Sequence, residues 1–184
     1  ATIQVSLNKL SLSKENLTRT QRLAVNLWGV SHSDSIEANF VLSQLHECAG
    51  DFDLAEAALL QTKKQREDAS GLWCVGSKND ILALAFLYFR VGALVEAEGL
   101  LRDALPGIQM VHGSYSLEVA CLLTILALIG CRLRDPFPCR PGDVCTIALR
   151  AFRIRYGVLG EGSLHFVQHA IFTALLLELE GSCR

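Results

Sequence analysis

Gly50-Asp51-Phe52-Asp53-Leu54-Ala55-Glu56 and Gly92-Ala93-Leu94-Val95-Glu96-Ala97-Glu98 are two versions of one phrase set 42 residues apart. In each, a glycine ends an apolar run, a short turn follows, and an alanine-glutamate pair opens the next run. Glycine reaches the left-handed backbone conformation that closes a helix, and acidic residues favour a helix's first turn. The phrase therefore reads as helix, turn, helix. Working outward, Gly29, Gly71 and Gly113 are also 42 residues apart, Gly50 and Gly92 fall 21 residues after the first two, and after a five-residue slip Gly160 and Gly181 are again 21 apart. A fixed period of about 20 to 50 residues marks a solenoid, in which a unit buries its apolar face only by stacking on its neighbours. The function of such a chain is expected on a surface rather than in a catalytic cleft.

The period divides residues 1–184 into a single array: an incomplete first repeat 1–28, repeats 29–70, 71–112 and 113–159, and a terminal half repeat 160–184. In repeat 29–70, helix A is expected over 36–48, with Asp34 and Glu37 at the spacing of a capping box. Helix B follows Asp53, carries Leu54, Ala55, Ala58 and Leu59 on its apolar face, and ends in the charged run 63–68, read as surface. In repeat 71–112, Asp80 precedes helix A at 81–90. Repeat 113–159 holds the uncharged apolar stretch 119–131, whose 13 residues fall short of the roughly 20 a membrane span needs, so it reads as a buried helix. Arg134 stands at its turn position, and the five extra residues lie in a proline-rich insertion at 135–142. Extrapolated backward, the lattice puts a turn at Asn8, a helix B at 12–27 and the stub of a helix A at 1–7. Entering and leaving in mid-repeat, the chain reads as part of a longer array, the alternative being a natural terminal cap helix.

The Gly50 and Gly92 segments resemble the inter-helix turn of tetratricopeptide (TPR) repeats, and the 42-residue period resembles the long repeats of kinesin light chains. Residues 150–160, Arg-Ala-Phe-Arg-Ile-Arg-Tyr-Gly-Val-Leu-Gly, are similar to the end of a helix B and the entry to the next repeat there. Ala85, Tyr88, Ala97 and Ala104 occupy the small and aromatic signature positions, whereas Asn39 and His46 replace aromatics and Val144 replaces an alanine. The resemblance implies an all-α fold, a right-handed superhelix of antiparallel helix pairs with about four repeats, helices A lining the concave side. The C-terminal part of SET-and-MYND lysine methyltransferases looks similar too, through residues 112–119; without a SET or paired-cysteine zinc motif, that kinship implies a non-catalytic part.

Residues spaced three and four apart share one face of a helix. The helix-A stripe so placed runs Glu37, Phe40, Gln44, Glu47; Asn79, Leu82, Phe86, Phe89; Cys121, Thr124, Leu128, Cys131; and Gln168, Ile171, Leu175, Glu178. It is apolar in the middle and acidic at the rims, which suits an amphipathic helix or a peptide with apolar anchors. Phe40, Glu47, Leu82, Phe86, Phe89, Leu128, Ile171 and Leu175 are the candidate partner-binding residues. The competing reading makes the same stripe core packing between repeats. A second candidate surface is basic: the stretch 132–155 holds six arginines, Arg132, Arg134, Arg140, Arg150, Arg153 and Arg155, against Asp135 and Asp143. Arg150, Arg153 and the neighbouring loop could grip phosphate or an acidic partner, and the plainer reading is a solvated helix-B face.

Composition narrows the classes. The chain is 51% hydrophobic with a net charge of −2, a pI near 6.2 and a mean hydropathy of +0.31, which argues against nucleic acid as a partner and hints that a partner or further chain covers apolar surface. No signal-peptide pattern opens the sequence and no stretch is long enough for membrane insertion. Seven cysteines in mostly apolar helical sequence read as reduced core thiols of an intracellular, cytoplasmic protein; the Asn16-Leu17-Thr18 sequon is then chance. His165 and His169 share a helical face, but Phe166 stands where a zincin has its glutamate, and Cys131, Cys139 and Cys145 form no paired zinc motif. With no nucleophile elbow, phosphate loop or dinucleotide fingerprint, neither an enzyme nor a cofactor is expected. The expected function is an adaptor or scaffold that binds a peptide or helix in a concave apolar groove; the alternative is a non-catalytic lobe or subunit of a larger enzyme or assembly that buries the stripe.

Overall fold

The computed structural model describes residues 2–71, 76–133, 141–160, 163, 170, 171, 173 and 174. Over these the chain is all-helical: α1 (Thr2–Trp28), α2 (Ser33–Ala49), α3 (Phe52–Ser70), α4 (Ser77–Val91), α5 (Leu94–His112), α6 (Leu117–Leu133) and α7 (Pro141–Leu159). It divides into two compact units, Ala1–Val91 and Gly92–Arg184. In the first, α1 packs on α2, α2 on α3 and α3 on α4; in the second, α5 packs on α6 and α6 on α7. Consecutive helices with short joints and shared packing are the construction of a TPR-like helical solenoid.

The glycine lattice is realised in the backbone. The residues with positive φ among those described are Gly29, Gly50, Gly71, Gly92, Gly113 and Gly160, each a lattice position. Two kinds of joint are seen. Gly50 is left-handed helical (φ 83°, ψ 7°), and the bonds from its N–H to the Glu47 carbonyl (3.1 Å) and from Asp51 N–H to the His46 carbonyl (2.9 Å) complete a Schellman closure of α2. Gly71 (φ 87°, ψ 165°) and Gly113 (φ 86°, ψ 152°) lie in a region that side-chain-bearing residues hardly enter.

Several local expectations are corrected. α1 runs unbroken from Thr2 to Trp28, with no turn at Asn8: residues 1–28 contain neither glycine nor proline, so nothing stops the helix. α2 starts earlier than residue 36, and its cap is His32, in extended conformation, whose Nδ1 accepts the Asp34 N–H at 3.3 Å; Asp34 is a first-turn acid rather than half of a capping box. α4 starts at Ser77, so Asp80 lies inside the helix and is fully buried. Cys48 is exposed and Cys121, Cys131 and Cys145 are half-buried, so none of these four is a core residue.

Repeat 29–70 centres on Ile36, Ala55 and Leu59, together with the buried polar pair Asn39 and Thr62. Asn39 donates from Nδ2 to Thr62 Oγ1 (3.0 Å) and to the Ala58 carbonyl (3.3 Å), so the polar replacement of an aromatic is satisfied by a bond between α2 and α3. In the second unit α6 is buried along most of its surface, from Val119 to Gly130, as expected for residues 119–131. Each fully buried leucine or isoleucine there contributes about 1.5–3 kcal/mol. A Cβ on Gly130 would lie 2.7 Å from Val144 Cγ2. Gly130 takes the place that His46 and Tyr88 hold in the earlier repeats, and Val144 the place of Ala55 and Ala97; the larger side chain on α7 is matched by the loss of one on α6.

Candidate functional site

In the first unit the expected stripe is the accessible face of α2 and α4. On α2, Glu37 and Gln44 are exposed and Phe40 and Glu47 half-buried; on α4, Asn79 is exposed and Leu82 and Phe89 half-buried. Phe86 is 45% exposed, between the buried Ala85 and Leu87. An exposed aromatic inside an otherwise well-buried helix is the notable feature of this face. The acids at its edges are engaged: Arg90 Nη1 donates to Glu47 Oε1 at 2.7 Å and its guanidinium lies 5.3 Å from the centroid of Phe52, while Glu37 is 3.7 Å from Arg66. The expected acidic rim is therefore largely neutralised here, and Glu47 acts as a tie between the A helices α2 and α4.

In the second unit Cys121, Thr124, Leu128 and Cys131 are all half-buried along α6. Arg155, the last arginine of the stretch read as a basic surface, is instead 4% exposed; it reaches from α7 to donate to Thr124 Oγ1 at 2.6 Å and to Cys121 Sγ at 3.8 Å. Burial pushes its pKa down, yet a guanidinium stays charged, so this part of the stripe carries a cation. Ile171 is 58% exposed; Leu175, Gln168 and Glu178 lie outside the described residues, as do His165 and His169.

Of the basic group, Arg132, Arg150 and Arg153 are exposed, whereas Arg134 and Arg140 lie outside the described residues. Arg150 and Arg153 are not merely solvated helix-B face. With Arg102 of α5 they line a cleft of about 890 Å³ bounded by α5, α6 and α7. A further sequence signal at this site is Pro106, which lines the cleft in the interior of α5 and has no N–H for the carbonyl four residues back. The charged run 63–68 is likewise not all surface, since the Arg66 side chain is 17% exposed and paired to Asp80.

The helix order, joints and paired packing define a TPR-like helical solenoid. No protein-family model and no curated protein matches the chain. Among solved structures it is similar to the crystal structure of BtubC (BKLC) from P. vanneervenii, at 21% identity and a TM-score of 0.72, covering 96% of this chain and 66% of that one. That likeness is one of fold and agrees with the TPR-like helical solenoid. Among the described residues no helix is long and apolar enough to cross a membrane.

Proposed function

We propose that the chain is a non-enzymatic, intracellular protein-interaction module, an adaptor or scaffold that takes a peptide or amphipathic helix on the accessible face of its A helices. The observation that carries this reading is Phe86, 45% exposed on α4 and on the same helix face as Leu82 and Phe89. Apolar side chains left accessible by a packed helix are the anchors that helix and peptide ligands use. Because this face is backed by the buried Ile81, Leu84 and Leu87, it is rigid before binding, which lowers the entropic cost of association. Phe86→Asp tests it: capture of protein partners by the wild type should be lost in the variant, while helicity and melting temperature stay nearly unchanged. Equal capture by both forms, or an unfolded variant, would sink the reading.

A second reading, a non-catalytic lobe or subunit buried in a larger assembly, is favoured by α1. Leu12, Leu23, Leu27 and Trp28 are 52–70% exposed on that helix, more apolar surface than one element usually leaves to water. Insolubility of the chain until co-expressed with a second component would support it.

A further inference from the structure

The cleft between α5, α6 and α7 combines two properties. Its floor is aliphatic, with Leu123, Leu126 and Ile154 each at most 4% exposed. Its polar margin carries Arg102, Arg150 and Arg153, and no acidic residue is among the described residues that line it. Arg102 is paired with Glu98, at 2.7 Å. Arg150 and Arg153 make no ion pair among the described residues, and three-residue spacing keeps them neighbours on one side of α7. Two exposed like charges held together in a chain of net charge −2 raise each other's electrostatic energy, which an anion between them lowers. The volume is in the range of roughly 300–1,000 Å³ typical of ligand sites.

We propose that this cleft is a docking site for an acidic peptide segment, distinct from the A-helix face, in which carboxylates meet Arg150 and Arg153 while one aliphatic or aromatic side chain enters the floor. Arg guanidinium pairs carboxylate in a bidentate fork, and the apolar depth gives the segment an anchor that a bare anion lacks. Nucleic acid is the weaker fit. Bases bind on aromatic platforms, and the one aromatic among the described lining residues, Tyr115, is 80% exposed while the floor is aliphatic.

The test uses the full chain and a display library of random 12-residue peptides, selected in parallel on wild type and on the Arg150→Glu/Arg153→Glu double variant. Peptides enriched on the wild type should be net acidic with an apolar residue among the acids. They should bind in fluorescence anisotropy with an affinity that falls as salt rises, lose at least about tenfold on the double variant, and keep their affinity on Phe86→Asp. Both replaced arginines are exposed, and an unchanged thermal melt of the double variant excludes unfolding; Gln109→Glu, which puts an acid in the lining, should weaken binding as a second check. The proposal is overturned if no acidic peptides are enriched, if the double variant binds them equally, or if oligo-dT displaces them as effectively as an unlabelled copy of the peptide.

Discussion

Arg66 of α3 donates from Nε to Oδ2 of Asp80 on α4 at 2.8 Å, and the Asp80 side chain has no exposure to solvent. This bond fastens the B helix of one repeat to the A helix of the next within the first unit. Cutting either partner leaves a buried charge alone, which costs about 3–5 kcal/mol. Arg66→Ala should therefore lower unfolding free energy by about 3 kcal/mol in urea titration; a loss below about 1 kcal/mol would show that the pair behaves as a surface one.

Asp80 and Asp51 should respond to acid in opposite senses. Burial holds the Asp80 carboxyl above its ordinary 3.8, outweighing Arg66, with Glu37 and Glu67 adding repulsion. Its contribution to stability is full below 3.8 and is lost as pH rises through the raised folded value. Asp51, hydrogen-bonded to Lys14 and attracted by its charge, is held below 3.8; its contribution is present above 3.8 and is lost as pH falls through the depressed value. Urea titrations at about pH 3 and pH 7 check this. The margin of wild type over Asp80→Asn should be larger at the lower pH, and the margin over Asp51→Asn smaller.

The two kinds of glycine joint should tolerate different substitutions. A Cβ at Gly50, Gly71 or Gly113 would meet nothing within 4 Å, so any cost is one of backbone conformation. Gly71→Ala and Gly113→Ala should each lower stability by about 1–3 kcal/mol. Gly50→Asn should cost less than about 1 kcal/mol, because asparagine enters the left-handed helical region. Thermal unfolding of the three variants ranks them directly, and equal losses would refute the distinction.

Gly130→Ala should destabilise by about 1–3 kcal/mol through collision with Val144, although alanine is the better helix former. Val144→Ala in the same chain should recover much of the loss. A double-mutant cycle is expected to give a coupling above about 1 kcal/mol; additive effects would mean that the close approach relaxes without cost.

What was legible in the sequence, and what was not, follows from how far each signal reaches. Gly29, Gly50, Gly71, Gly92, Gly113 and Gly160 state a backbone requirement locally, so their spacing gave the joints and the solenoid. Extrapolation failed at Asn8, because a lattice position without a helix breaker carries no instruction to turn, and α1 continues through it. Helical spacing put Phe86 on the A-helix stripe, the TPR resemblance implied that the stripe is accessible, and Phe86 is 45% exposed. Arg66 and Arg155 were misread for the same reason as each other: a charged residue in a helix is solvated or buried according to what a neighbouring helix offers, here Asp80 for one and Thr124 for the other. The cleft needed three helices at once, and of its lining only Arg150 and Arg153 stood out in the sequence, as part of a basic surface.

The exposed glycine joints also bear on errors of assembly. α6 is apolar around most of its circumference, so packing alone would let it settle one turn up or down against its neighbours with little loss of buried area. A joint that only glycine can adopt cannot migrate along the chain, so Gly113 holds the start of that helix in frame. Arrays of similar helices are prone to pairing with the wrong neighbour or in a shifted register. Here the safeguard against such misregistration resides in the connections, leaving the helix surfaces free to diverge.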